Sequence, residues 1–325
     1  MIITLWGLPF VAKASIMGAY YFGHTEGYKS GSYSPISFEV LKADTLPHTD
    51  AGRDLGTSWG GVEAKYSLKI STQNAFFESE HPLLKDNKVT TTLSTEISPV
   101  SLNIAGITSW EPVPFAKVDL GAATGTGWTL LGFNGLGRNF ENEKDVRQEP
   151  ISGLVNKVWI EPALQFDWAA VQPGDWNHIV AFASTSFEHR SFTGAGGDDV
   201  AWEYENDQGA NLNGWRRLEN YLIGYQMPLD LNLIGILATS EQLITHKNDP
   251  TMANSGWGSD FKIWNFGPMG IYKLSDSSRI INLVQWRTEQ GYTDETVANR
   301  YFRNRVYNRP VTRLYRIAFN YESTF

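Results

Sequence analysis

The chain has no cysteine, which excludes disulfide frameworks, thiolate metal sites and cysteine nucleophiles together. It has no apolar run of about 18 residues or more, so a transmembrane helix is excluded as well. Charge is sparse: 19% of the residues are charged, against ~25% in ordinary soluble domains. Acidic residues outnumber basic ones 35 to 27, and no dense block of Lys and Arg occurs. A nucleic-acid partner needs a concentrated basic face and is therefore not expected. There is no P-loop and no dinucleotide-binding glycine pattern. His24, His48, His81, His178 and His246 are scattered without zinc-ligand spacing, so neither a metal nor a cofactor is implied.

What the chain has instead is aromatic residues and glycine: 12 Trp, 14 Tyr and 30 Gly. It also has persistent period-2 alternation. From Val62 to Ile70 every even position is apolar or small and every odd one polar. From Val158 to Trp168 the even positions read Val, Ile, Pro, Leu, Phe, Trp, and Glu161, Gln165 and Asp167 fall between them. Such segments are strands with one apolar and one polar face. Twelve are expected, at 13–23, 34–44, 57–71, 88–110, 115–132, 153–170, 176–191, 214–227, 231–243, 257–273, 279–289 and 309–325. The fourth changes parity at Ser98-Pro99, through either a β-bulge or a tight turn joining two strands. Residues 1–14 are either a shortened signal segment, with Ala12-Lys13-Ala14 as its cleavage pattern, or the beginning of the first strand. Residues 15–325 are expected to form one domain.

The connections alternate in length. Long polar ones fall at 72–87, 133–152, 192–213, 244–256 and 290–308, and short ones at 111–114, 171–174, 228–230 and 275–278; only 45–56 breaks the rhythm. Thr293-Asp294-Glu295-Thr296 has the pattern of a helix cap inside the last long loop. Nothing in a soluble sandwich requires long loops at one end and short turns at the other. A transmembrane antiparallel β-barrel shows that asymmetry, with short periplasmic turns and long extracellular loops. It also needs an even number of strands of ~9–11 residues or more. The expected fold is therefore all-β, a transmembrane antiparallel barrel of about twelve strands, with the Trp and Tyr residues in girdles.

The last segment places Tyr315, Ile317, Phe319, Tyr321, Ser323 and Phe325 on one face. It resembles the closing strand of bacterial outer-membrane β-barrel proteins, in which a terminal aromatic residue acts as an assembly signal. Ser323 departs from that pattern, which usually has an apolar residue there. The resemblance implies that Phe325 is read by the outer-membrane barrel assembly machinery. It also implies a location in the outer membrane of a Gram-negative (diderm) bacterium, among outer-membrane lipids and lipopolysaccharide-like glycolipids.

If the apolar faces meet lipid, the polar faces turn inward. Glu63, Lys65, Lys69, Lys157, Glu161, Asp167, Arg287 and Arg316 are then the candidate pore-lining residues. Twelve strands lie between a side-chain-filled eight-stranded barrel and an open sixteen-stranded porin. The expected function is passive diffusion of a small polar or charged solute through a narrow lumen. Arg300, Arg303, Arg305, Arg309 and Arg313 suit anionic glycolipid or acidic solute, or simply pair with loop acids.

The sequence leaves three other chemistries open. His189 and Ser191 share a strand face, so the histidine can serve as base to the serine. Glu219 is the third member, in an arrangement similar to the His-x-Ser of outer-membrane phospholipase A and lipid A deacylases. The Asn-Gly that follows the serine in those enzymes is replaced by Phe192-Thr193-Gly194. Asp198, Asp199, Glu203, Glu205 and Asp207 supply oxygens that suit Ca²⁺ but match no EF-hand spacing. In a soluble sandwich, Glu203 and Glu205 would be the carboxylate pair of a glycosidase. A structural or surface-interaction barrel without transport is the last alternative.

Overall fold

Alternating side chains on an extended backbone define a strand, and the chain builds eighteen of them among its described residues. The computed structural model describes residues 3–5, 8–22, 61–130, 133–141, 146–150, 152–196, 202–204, 211–245, 262–292 and 307–325. The first strands are β1 (Ile3–Leu5), β2 (Leu8–Tyr21), β3 (Gly61–Ala75), β4 (Lys88–Ile97), β5 (Ser101–Val113) and β6 (Ala116–Gly127). Four short ones follow: β7 (Thr129–Leu130), β8 (Phe133–Asn134), β9 (Leu136–Glu141) and β10 (Val146–Pro150). Next come β11 (Val155–Asp167), β12 (His178–Phe192), β13 (Trp202–Tyr204) and β14 (Gly214–Gln226). The last are β15 (Leu231–Leu243), β16 (Ile263–Lys273), β17 (Ser278–Tyr292) and β18 (Tyr307–Thr324).

Twelve of these form a closed antiparallel barrel, in the order β2-β3-β4-β5-β6-β11-β12-β14-β15-β16-β17-β18, with β18 returning to β2. Closure is what a bilayer demands, because an open edge in hydrocarbon would leave a row of N–H and C=O groups unpaired. At the seam Ile317 pairs with Tyr20 and Thr324 with Lys13, while β1 pairs with Leu8–Phe10 below the end of β18. Residues 8–14 lie within β2. The outer wall is a band of large apolar side chains that are themselves exposed: Ile16, Leu93, Leu120, Leu164, Ile223, Ile236 and Phe319 each have about half their surface open. A band of that size exposed to water would aggregate, and lipid is the environment that covers it.

The strand number agrees with expectation, but one of the expected segments does not. The segment 88–110 is two strands, β4 and β5, joined by the turn 98–100. Pro99 has no N–H to give to a ladder. Ser98 closes the turn, its hydroxyl 2.6 Å from that of Ser101 and its N–H donating to the Ser101 carbonyl at 3.0 Å. The parity change at Ser98-Pro99 is therefore a turn. The expected strand 34–44 lies outside the described residues, as do the Thr293–Thr296 cap and Arg300, Arg303 and Arg305.

Splitting the fourth segment also reverses one connection. Connections 76–87, 114–115, 168–177, 227–230 and 274–277 lie at one end, and 22–60, 98–100, 128–154, 193–213, 244–262 and 293–306 at the other. The long polar stretch 72–87 thus sits at the short-turn end, where Asn87 organises it. Its side-chain oxygen accepts from the N–H groups of Phe76 and Phe77 at 3.1 and 2.9 Å, and its amide donates to the Phe77 carbonyl at 2.7 Å. In the turn 274–277, Lys273 lies 2.9 Å from Asp276 and holds that exposed carboxyl below its ordinary range by hydrogen bonding.

Candidate functional site

The lumen follows from register. Residues opposite one another in a ladder point to the same face, and successive residues to opposite faces. Val62, Tyr66 and Ile70 are exposed on the outer wall of β3, so Glu63, Lys65 and Lys69 turn inward. Val158, Ile160, Leu164 and Phe166 do the same on β11, turning Lys157, Glu161 and Asp167 inward. Arg287 on β17 and Arg316 on β18 are also inward.

On β18 one inward residue was not legible from the pattern. Gln285 pairs with Arg316 but Trp286 pairs with Leu314, so Tyr315 is an inserted residue in a β-bulge. Tyr315 therefore does not share the outer face of Ile317, Phe319 and Tyr321. It is buried against Ala19, Tyr21 and Ala318, with its ring 5.2 Å from that of Tyr21. One extra residue reverses every facing on the N-terminal side of it.

Inside the barrel many of the charges are mutually engaged. Glu63 accepts from the Tyr21 hydroxyl and lies 2.9 Å from Lys65. Arg316 donates from Nε to the Gln285 side-chain oxygen at 2.6 Å and from Nη1 to the Tyr21 hydroxyl at 3.2 Å. Its guanidinium also faces the Tyr315 ring, as does that of Arg287, 4.7 Å from the centroid. A second cluster lies nearer the long-loop end. Arg190 donates to Glu188 at 2.7 Å and to the Asn211 side chain at 3.0 Å, and Arg216 pairs with Glu241. Buried ion pairs hold geometry more than they add net stability, and losing one partner strands the other. Toward the short-turn end, Glu322 bridges Lys13 at 2.7 Å and Arg279 at 2.6 Å, and Lys117 pairs with Asp119 at 2.7 Å. Asp167 is engaged in its own turn, accepting from the Ala169 N–H at 3.0 Å and lying 2.7 Å from the His178 ring.

Glu188, Arg190, Arg216 and Glu241 were missed from sequence. Their signal was the even-position row Ser184, Ser186, Glu188, Arg190 on β12, which Val180 and Phe182 obscured. Those two are inward as well. One wall of the lumen, from β12 to β17, is largely apolar toward the short-turn end, with Phe182, Leu222, Leu233, Leu237, Ile281 and Leu283 facing in. This is why 279–289 alternates weakly: both of its faces are apolar there.

The mouth is narrowed by a small sheet from two separate connections. β13 pairs with β9, and β9 with β10. Leu136, Val155, Phe192, Ala195, Trp202 and Tyr204 form a buried cluster at this point. The Tyr204 hydroxyl donates to the Leu102 carbonyl at 3.1 Å, and Lys157 stands 5.6 Å from its ring centroid. Gly125 leaves the room: a Cβ there would collide with the Tyr204 hydroxyl. Asn213 accepts from the Phe192 N–H at 2.8 Å and from the Trp202 indole at 3.2 Å. Among the acids of this connection, Asp198, Asp199, Glu205 and Asp207 lie outside the described residues, and the side chain of Glu203 does as well.

His189, Ser191 and Glu219 all face outward, but the structure does not bring them together. His189 pairs with Trp215, its ring 5.3 Å from the indole. Glu219 is four residues further along β14, opposite Thr185, about 13 Å away at ~3.3 Å per residue. Its carboxylate is taken by Arg217, Lys262 and the Ser240 hydroxyl, the last at 2.8 Å. No hydrogen bond joins His189 to Ser191 among the described residues.

Fold and lumen together define a transmembrane β-barrel with a charged interior and a folded-in mouth. Among solved structures the chain is similar to the KdgM porin, at 8% identity and a TM-score of 0.36, over 96% of this chain and 99% of that one. It is similar to the β domain of the Bordetella autotransporter BrkA, at 9% identity and 0.42, over 97% and 99%. It is also similar to the outer membrane channel DcaP of Acinetobacter baumannii, at 9% and 0.38, over 97% and 96%. No protein-family model and no curated protein sequence matches the chain.

Proposed function

We propose that this barrel is a channel in the outer membrane of a diderm bacterium, carrying a small polar or charged solute by passive diffusion. The observation that supports it is the inward placement of charges of both signs, including Glu63, Lys65, Lys157, Glu161, Arg287 and Arg316, in a closed ring whose outer wall is apolar. Charges on the lumen side hold water in register with a solute, and the sheet at the mouth screens entry. The short turns face the periplasm and the long loops the exterior, the usual orientation of such barrels. Phe325 is exposed on the outer wall, and its N–H donates to the Ala12 carbonyl at 2.9 Å. We assign it as the residue read by the barrel assembly machinery.

Single-channel recording of the detergent-folded protein in a planar bilayer tests this reading. Discrete, reproducible conductance steps are expected. Exchanging Arg316 and Lys65 for Gln should shift the reversal potential toward cations. A silent membrane containing correctly inserted protein would overturn the channel.

A further inference from the structure

A second group of charges lies on the wrong side of the wall for a channel. Arg217 and Glu219 on β14, Ser240 on β15 and Lys262 just before β16 all face outward, in the same row as Trp215, Tyr221, Trp264 and Phe266. Glu219 is buried beneath the two cations. It accepts from Arg217 through Nε at 2.8 Å and also through Nη2, from the Lys262 ammonium, and from Ser240. The cations remain reachable: the Arg217 side chain is 43% exposed and that of Lys262 28%. Lys262 also lies 4.4 Å from the centroid of the Trp264 ring, which stacks on Tyr221 at 6.2 Å.

Depth decides what this group can be. Glu219 is eight residues above Met227, just past the short-turn end of β14. At ~3.3 Å per residue and ~40° tilt that is about 20 Å up an apolar band ~25 Å tall. The cluster therefore lies where acyl chains give way to headgroups, on the long-loop side. Unpaired charges on a lipid face cost ~2–4 kcal/mol at the midplane and ~0–1 near the interface. Two cations around one carboxylate leave a net positive charge there. Arg217 Nη1 makes no bond among the described residues, so its N–H groups are left to donate to a ligand.

We propose that Arg217 and Lys262, held side by side by Glu219, form a docking site on the outer wall for the phosphate of an anionic glycolipid of the outer leaflet. Arg217 and Lys262 donate to the phosphate oxygens, and the exposed face of Trp215 packs against the adjoining sugar. Glu219 is a positioning residue: it aligns the two cations against their mutual repulsion.

The assignment rests on the outer-leaflet orientation proposed above. It is tested by native mass spectrometry of the full chain folded in detergent and titrated with bis-phosphorylated lipid A. The folded protein should retain lipid A. Arg217→Gln/Lys262→Gln, with folding verified by heat-modifiable migration, should lose about tenfold or more of that affinity. Fully dephosphorylated lipid A should bind the unaltered protein as poorly, a comparison that needs no variant. Equal binding of both lipids, equal binding by the double variant, or displacement of lipid A by millimolar inorganic phosphate would each overturn the site. A silent bilayer with lipid A still retained would sink the channel and leave this site standing; the converse would sink the site alone.

Discussion

Glu63 shows how much one inward side chain carries. It is almost fully buried, pairs with Lys65, and takes the Tyr21 hydroxyl that also meets Arg316. Replacing it with Gln leaves Lys65 and Arg316 facing a neutral amide. The barrel should lose about 3 kcal/mol in urea unfolding followed by tryptophan fluorescence, and the reversal potential should move toward anions. A variant as stable as the parent would show that water already solvates Lys65. At this scale the facing of Glu63, Lys65, Lys157 and Glu161 was legible because strict alternation on β3 and β11 has one solution. Tyr315 was not, since an inserted residue leaves no mark in the sequence. Glu219 entered only the alternative hydrolase reading, and its ion pairs were not legible because neither a motif nor a spacing tells which partners will reach a carboxylate from neighbouring strands.

Among the elements, the ring and the cap depend on different physics. Each ring strand is specified locally by period 2, and most were legible for that reason. The exception is instructive: β4 and β5 together read as one long segment because the turn 98–100 contains only Ser, Pro and Val. The cap was invisible because β9 and β13 pair across some sixty residues of chain, and its anchors Trp202 and Tyr204 sit in a polar stretch dominated by acids. Trp202 is completely buried. Replacing a buried Trp with Ala costs ~3–5 kcal/mol, but here the loss falls on the cap alone. Trp202→Ala should therefore raise single-channel conductance and expose the 193–213 connection to protease, while heat-modifiable migration of the barrel stays unchanged. Gly125→Val should act at the same joint by displacing the Tyr204 ring, again raising conductance. If both variants conduct as the parent does, the cap does not restrict the path.

For the molecule as a whole, the sign of the lumen field is the property that individual pairs conceal. In the half nearer the long loops, Glu188 and Glu241 face Arg190 and Arg216, and the field of Arg287 reaches Glu241. Arg313 and Arg316 add charge from β18, and Glu63 is matched by Lys65. Among the described side chains named here, cations therefore exceed carboxylates, although the chain as a whole is acidic, at −8. Entry should favour anions, against what net charge alone would indicate. The preference should also depend on salt, because fixed charges act on a passing ion over about one Debye length, ~10 Å at 0.1 M but ~3 Å at 1 M. Reversal potentials measured under a KCl gradient should show anion selectivity at the lower concentration and little at the higher. Arg190→Gln/Arg216→Gln should abolish the selectivity at low salt. Cation selectivity in the parent protein would mean that the lumen charges toward the short turns, and not those at the mouth, govern passage.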